Sequence, residues 1–251
     1  MKKYLLIIPL IAFAWWLPAS PAQASVIFAG EEHSALGTGT LSTTTLTSAA
    51  PEFAIVYVTG KLATADGVNA CTYGGVSMTE VSGSPVVKTA TEALEVHAFF
   101  LGASIPTGVQ TVQCTVNTSN SKQLHLYYGD GATTEIVDSD TVSSDSVSDP
   151  TVTMQVSSRI SFVSFASASG LNDVVTNSAP FTGYELGRET DDVSQGYVTY
   201  RKSTESSSDA TNCGYDQNVS AEDAVLICTA ISEVVAAGGD DKPDDSVILF
   251  E

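Results

Sequence analysis

Apolar residues recur at every second position in the apolar segments of this chain, and this period of two constrains its fold more than any other feature. In LEVHAFF (residues 94–100) the aliphatic residues and the second phenylalanine fall on one face, and Glu95 and His97 on the other. The same alternation recurs at residues 112–116, 124–128, 152–156 and 226–230. Successive side chains of a strand point to opposite faces, whereas a helix would repeat about every 3.6 residues. The pattern predicts half-buried strands.

Turn signals separate these strands along the chain. Further strand candidates lie at residues 26–29, 53–59, 70–73, 160–166 and 197–201. Between the runs stand Gly74-Gly75, Pro106-Thr107-Gly108, Gly129-Asp130-Gly131 and Asp149-Pro150. Short strands at this spacing are typical of antiparallel sandwiches. We therefore predict an all-β fold, an antiparallel β-sandwich of jelly-roll type.

The first 24 residues predict export. Lys2 and Lys3 precede an apolar run, and Ala22-Gln23-Ala24 matches an A-x-A cleavage site. The run is shorter than the roughly 20 residues that span a bilayer. We read residues 1–24 as a signal peptide of a secreted, extracellular protein, with the periplasm as the alternative, and expect no membrane insertion after cleavage.

The remaining chain divides into one domain and a tail. Residues 25–235 are expected to form a single β-sandwich domain, with long acidic loops near 129–150 and 170–195 that are rich in polar residues. Residues 236–251 are an acidic tail with a short apolar, β-prone end, Ser246 to Phe250. This end either folds back as an edge strand or adds to the sheet of a neighbouring subunit.

The charge excludes some partners. The chain has 29 acidic residues against 10 Lys and Arg, a net charge of −19. Such a surface repels nucleic acid and anionic membranes. Both tryptophans, Trp15 and Trp16, lie in the predicted signal, which weakens a sugar-stacking site.

The four cysteines predict two disulfides in an oxidising compartment. They are Cys71, Cys114, Cys213 and Cys228. Four cysteines allow three pairings, and the sequence does not choose among them. We favour Cys71 with Cys114 and Cys213 with Cys228, because each pair then closes a moderate loop within its own half of the chain.

Calcium is the ligand that the acidic residues suit best, since it prefers hard oxygen ligands from loops. The candidate set is Asp138, Asp140, Asp145 and Asp149. No EF-hand spacing is present, and a solvated acidic loop is the competing interpretation.

Catalysis is not expected. His33, His97 and His125 are interpreted as surface histidines, and the chain contains no G-x-S-x-G, H-E-x-x-H or P-loop motif. Paired carboxylates could hydrolyse glycosides, with Glu80, Glu92 and Glu95 as candidates.

Residues 53–129 carry a resemblance. The strand FAIVYVTGK leads to CTYGGVSMT, then LEVHAFFL, then a Pro-Thr-Gly turn into a threonine-rich strand. This order resembles a β-sandwich pattern of bacterial extracellular and phage-associated proteins. The resemblance implies a jelly-roll-like sandwich outside the cell or on a particle, and it supplies no catalytic residues.

These observations predict a secreted structural or adhesive protein that is not an enzyme and acts by surface contact or assembly. Its partners would be other copies of itself or a cell-surface glycan. The alternative is a carbohydrate-binding or carbohydrate-active module, assisted by calcium.

Overall fold

A computed structural model gives the structure of the chain. It describes residues 26–45, 51–61, 67–89, 93–116, 122–130, 134–147, 150–155, 161–170, 185–192, 195–205, 210–214 and 222–233. The predicted signal peptide (1–24) and the acidic tail (236–251) lie outside the described residues. Within the described ranges, no helix is long and apolar enough to cross a membrane.

Seventeen β-strands make up most of the described chain. In chain order they are β1 (Ile27–His33), β2 (Thr40–Thr44), β3 (Phe53–Lys61), β4 (Val68–Tyr73), β5 (Val76–Ser77), β6 (Thr79–Glu80), β7 (Val86–Lys88), β8 (Leu94–Leu101), β9 (Thr111–Val116), β10 (Lys122–Asp130), β11 (Thr134–Val147), β12 (Thr151–Gln155), β13 (Ser161–Ser169), β14 (Glu185–Asp192), β15 (Gln195–Glu205), β16 (Ala210–Gly214) and β17 (Glu222–Glu233).

The strands form four sheets, and every pairing is antiparallel. Sheet A has the order β1-β10-β3-β8-β6, and β7 also pairs with β8. Sheet B has the order β2-β9-β4-β5. Sheet C has the order β11-β17-β13-β15-β14, and sheet D consists of β12 and β16. The predicted all-β, antiparallel sandwich fold is confirmed, whereas the jelly-roll connectivity stays a prediction.

Three apolar cores hold these sheets in the layer order B–A–C–D. The first core joins sheet A to sheet B and includes Val56 and Val112. The second joins sheet A to sheet C and includes Ile55 and Phe162. The third joins sheet C to sheet D and includes Met154. Each inner sheet is therefore covered on both faces.

Strand β3 shows how the sequence produces this layering. Phe53, Ile55 and Tyr57 point into the core shared with sheet C, whereas Ala54 and Val56 point into the core shared with sheet B. A strand buried on both faces needs apolar residues at every position. This accounts for the continuous apolar run FAIVYV.

The predicted acidic loop near 129–150 is wrong over most of its length. Residues 134–147 form β11, an edge strand of sheet C that pairs with β17. Its valines and threonines favour extended backbone, and at this edge position the side chains of Glu135, Asp140 and Ser143 are exposed to solvent. In the second predicted loop, residues 185–192 form the edge strand β14, and residues 171–184 lie outside the described part of the chain.

Two disulfides join the pairs favoured from the sequence, one within a sheet and one between two sheets. Cys71 and Cys114 lie opposite each other on the neighbouring strands β4 and β9 of sheet B. Cys213 on β16 is bonded to Cys228 on β17, so this disulfide links sheet D to sheet C. Disulfides are typical of proteins that fold in an oxidising compartment.

Candidate functional site

A row of three residues crosses the middle of sheet A on the face that points to sheet B. Lys122 on β10 is paired with Gly60 on β3, and Gly60 is paired with Glu95 on β8. Neighbouring strands lie about 4.8 Å apart, so Lys122 and Glu95 are separated by roughly twice that distance across the sheet. Because Gly60 has no side chain, the ammonium and the carboxylate meet above it. Lys122 Nζ contacts Glu95 Oε1, and both side chains are fully buried.

The contacts continue from Glu95 as a chain of buried polar groups. Glu95 Oε2 accepts a hydrogen bond from Gly67 N (3.3 Å) and lies 3.3 Å from His97 Nε2. On the other side of the imidazole, His97 Nδ1 lies 3.2 Å from Glu80 Oε1. Ser84 Oγ donates to the same Glu80 oxygen at 2.8 Å. We call Lys122, Glu95, His97 and Glu80 the ionic chain.

The protonation of the ionic chain follows from its hydrogen bonds. Both ring nitrogens of His97 face carboxylate oxygens, and an ionised carboxylate only accepts hydrogen bonds. The imidazolium, with two N–H donors, fits both contacts. With Lys122 also positive and both glutamates negative, the charges sum to zero. A buried charge is tolerated when it is paired in this way.

The expectation of surface histidines is wrong for two of the three. His97 and His125 are buried, and His33 is exposed. The period of two correctly put His97 opposite the apolar face of β8, but that second face is covered by sheet B. The structure brings Glu80 and Glu95 to opposite sides of His97, whereas Glu92 lies outside the described residues. Lys122, which the sequence reasoning missed, completes the chain.

An acidic cleft of about 690 Å³ lies where the edges of sheets A and C meet, and Glu80 is one of the residues that line it. Glu135 and Asp138 of β11 line the opposite wall, and Phe100 and Ile136 contribute apolar surface. Glu80 is thus the member of the ionic chain that reaches the cleft, since its side chain is 38% exposed while it contacts the fully buried His97.

The predicted calcium ligands are only partly described. Asp138 lines the cleft, and the exposed Asp140 accepts a hydrogen bond from Thr141 N (2.7 Å). The side chain of Asp145 and all of Asp149 lie outside the described part. Among the residues that are described, no group of three or more His, Cys, Asp or Glu is placed to hold a metal ion. Calcium binding stays a prediction.

The outer face of sheet B has a different character from the rest of this acidic chain. It points away from the core and is built from polar side chains and one alanine on three paired strands. We call this the threonine face, and its members are Thr40, Ser42, Thr44, Ala70, Thr72, Thr111, Gln113 and Thr115. All eight side chains are uncharged, and seven of the eight residues are exposed. Gln113 lies at the centre, paired with Ser42 on one side and Thr72 on the other.

Buried hydroxyl groups lie between sheets A and C. Tyr57 Oη lies 2.8 Å from Ser164 Oγ and 2.6 Å from Thr229 Oγ1. Burial raises the pKa of the Tyr57 phenol, although the hydrogen bonds from these two hydroxyls oppose the shift. Burial likewise raises the pKa of Tyr127 well above its usual value. Both phenols therefore stay neutral in the folded protein. We interpret the buried hydroxyl groups between sheets A and C as a structural contact.

Comparison with known proteins adds no family to this description. The chain matches no protein-family model, and no curated protein or solved structure matches it significantly.

Proposed function

We propose that this is a secreted adhesive protein that acts by surface contact rather than by catalysis, and that the threonine face makes the contact. The observation that carries the proposal is an uncharged, hydroxyl-rich sheet face on a chain of net charge −19. Two disulfides fit a protein that works outside the reducing cytosol.

The geometry of the face favours a repeating partner. Along one strand, outward residues repeat every two positions, or about 6.8 Å, and neighbouring strands lie about 4.8 Å apart. The hydroxyl and amide groups thus form a two-dimensional array of hydrogen-bond donors and acceptors. A polymer whose own hydroxyl groups repeat regularly can pair with several of them at once.

The negative charge of the protein limits the class of partner that the threonine face can bind. Long-range repulsion keeps this acidic protein away from anionic surfaces, but it acts weakly on an uncharged one. We therefore assign the threonine face to an uncharged, hydroxyl-rich polysaccharide surface.

Sedimentation with insoluble cellulose and chitin tests the proposal. We expect the protein to sediment with at least one of them. Gln113→Lys and Gln113→Glu should each weaken binding about tenfold or more, since a charge at the centre of a contact would lose its solvation. The matched control is Val87→Lys, an exposed position on sheet A, which should bind as the unchanged protein does. Using both signs of charge at Gln113 separates a contact effect from a change in net charge.

Two results would contradict the adhesive role of this face. Equal binding by all variants would show that another surface makes the contact. A protein that forms large particles dispersed by the Gln113 variants would show that the face binds further copies of the chain rather than glycan.

A second candidate is a carbohydrate-binding or carbohydrate-active module that takes a single sugar chain in the acidic cleft instead of a polysaccharide surface on the threonine face. The observation that favours it is the cleft itself, whose carboxylates and apolar wall could hold such a chain. In the same assay, Glu135→Gln combined with Asp138→Asn would abolish binding while the Gln113 variants bind normally. That outcome would replace the first proposal.

A further inference from the structure

We infer that Lys122 and Glu95 form a covalent amide bond between their side chains, a cross-link across three strands of sheet A. The inference concerns the folded core and does not depend on the adhesive role. It rests on a buried amine, a buried carboxyl and a hydrogen-bonding environment that suits the amide.

The fold places the two reacting groups together. Lys122 Nζ contacts Glu95 Oε1 above Gly60, with both side chains at zero exposure. Groups held in contact by a rigid sheet react as if at very high concentration, because the entropy of bringing them together is already lost on folding. Water, the competing reactant for an acyl group, has little access to this position.

The step balances without any further reactant. In the low-polarity core, an ammonium–carboxylate pair can pass one proton from Nζ to Oε1, which leaves an amine and a carboxylic acid. The amine nitrogen attacks Cδ of Glu95, and a second proton moves from nitrogen to Oε1. The Cδ–Oε1 bond then breaks, and Oε1 leaves as water with both protons. A C–N bond has replaced a C–O bond, and no electron donor or acceptor is needed.

The surrounding groups fit this route. Charge develops on Glu95 Oε2 when nitrogen attacks, and that oxygen faces two donors, Gly67 N and His97 Nε2, each at 3.3 Å. Donors aimed at a developing oxyanion lower the barrier to acyl transfer. Glu80 acts through His97 as a positioning residue, since it contacts the other ring nitrogen.

The product would satisfy its own hydrogen bonds. The amide keeps one N–H, and Lys122 Nζ already lies 2.9 Å from the carbonyl oxygen of Lys61. The amide oxygen would be Oε2, which keeps the donor from Gly67. Forming the amide also removes two charges from a fully buried position, where an ion pair is stabilising only if its attraction exceeds the loss of solvation.

Mass spectrometry of the intact, purified full chain tests the inference. After reduction of both disulfides, we expect a mass one water molecule lower than that calculated for the purified polypeptide from its own N-terminal residue onward. Fragmentation in the gas phase should release no fragments by single backbone cleavage between residues 95 and 122, because the new bond closes that segment into a ring. A mass equal to that calculated for the reduced polypeptide would overturn the inference and leave an ordinary ion pair.

Two variants locate the bond. Lys122→Met should restore the missing water, since methionine fills similar space without an amine. The matched control is Lys88→Met, which removes a second buried lysine of the described residues, 3.6 Å from Asp223; this variant should still lack one water. If Lys122→Met does not fold, the mass and fragmentation of the unchanged protein decide the question alone. Loss of water in both variants would place the bond elsewhere and refute the assignment.

Discussion

The contact between sheets A and C depends on a hydroxyl group that can be removed without changing the shape of the core. Tyr57→Phe deletes the oxygen that lies 2.8 Å from Ser164 Oγ and 2.6 Å from Thr229 Oγ1. Those two hydroxyls are 3.4 Å apart and can still bond to each other. The variant therefore loses the net value of about two hydrogen bonds without leaving an isolated polar group, and we expect a loss of roughly 1–2 kcal/mol in the free energy of unfolding near neutral pH.

At alkaline pH the same substitution should have a smaller effect. A tyrosine in the unfolded chain ionises with a pKa near 10, whereas burial raises the pKa of Tyr57 in the folded protein. Above about pH 10 the unfolded state therefore binds fewer protons than the folded state, and stability falls as pH rises. By about pH 11 the resulting loss in the free energy of unfolding is roughly 1.4 kcal/mol for one buried tyrosine. Phenylalanine does not ionise, so the Tyr57→Phe variant does not suffer this alkaline loss. At about pH 11 its free energy of unfolding should therefore be nearly equal to that of the unchanged protein.

Urea unfolding at both pH values measures this change, with the disulfides left intact so that the linear analysis holds. The control is Thr229→Val, which removes a partner hydroxyl but keeps the phenol. It should be destabilised by about 1 kcal/mol near neutral pH and retain the full alkaline loss. An equal deficit for Tyr57→Phe at both pH values would refute the argument that burial keeps this phenol neutral. So would phenolate absorbance from Tyr57 in the folded protein near pH 10.

Two other changes test the packing of the layers. Replacing both Cys213 and Cys228 by alanine opens a link that spans 15 residues of sequence, and it should lower the free energy of unfolding by about 3 kcal/mol, measured by urea midpoint against the unchanged protein. A shift below about 1 kcal/mol would contradict a native bond between these layers. Gly129→Ala should destabilise by about 1–3 kcal/mol in the same assay, because its Cβ would overlap the carbonyl oxygen of Ile27 and the ring of Phe53. An unchanged midpoint would contradict the close approach of these strands.

The strands could be predicted from the sequence because alternation is a local property. Residues 94–100, 112–116 and 124–128 all lie in strands of the structure, on the faces that the period of two assigns. The edge strand β11 was missed because serine and aspartate dominate it, and their turn preferences outweighed its valines and threonines. Pairing with β17 supplies backbone hydrogen bonds that no local pattern reveals.

The candidate sites were harder to predict for a different physical reason. Alternation shows that Glu95 and His97 share a face, but it does not show what covers that face. The polar face of β8 was assumed to meet solvent, whereas sheet B buries it. Lys122 joins Glu95 only through the register of three strands, and register depends on long-range pairing. Gly60, which follows the apolar run of β3, is a local signal of a close approach.

The links within and between the described sheets differ in kind, and this difference determines which sheets stay joined when packing is lost. The disulfide Cys71–Cys114 holds sheet B together, and Cys213–Cys228 fastens sheet D to sheet C. The inferred amide would join β10 to β8 across β3, within sheet A. Between sheets A and C, the described contacts are apolar packing, hydrogen bonds such as those of Tyr57, and a few ion pairs. Among the described contacts between sheets, the one that contains a disulfide joins C to D, so these two sheets stay linked when the non-covalent contacts between A and B and between A and C are lost.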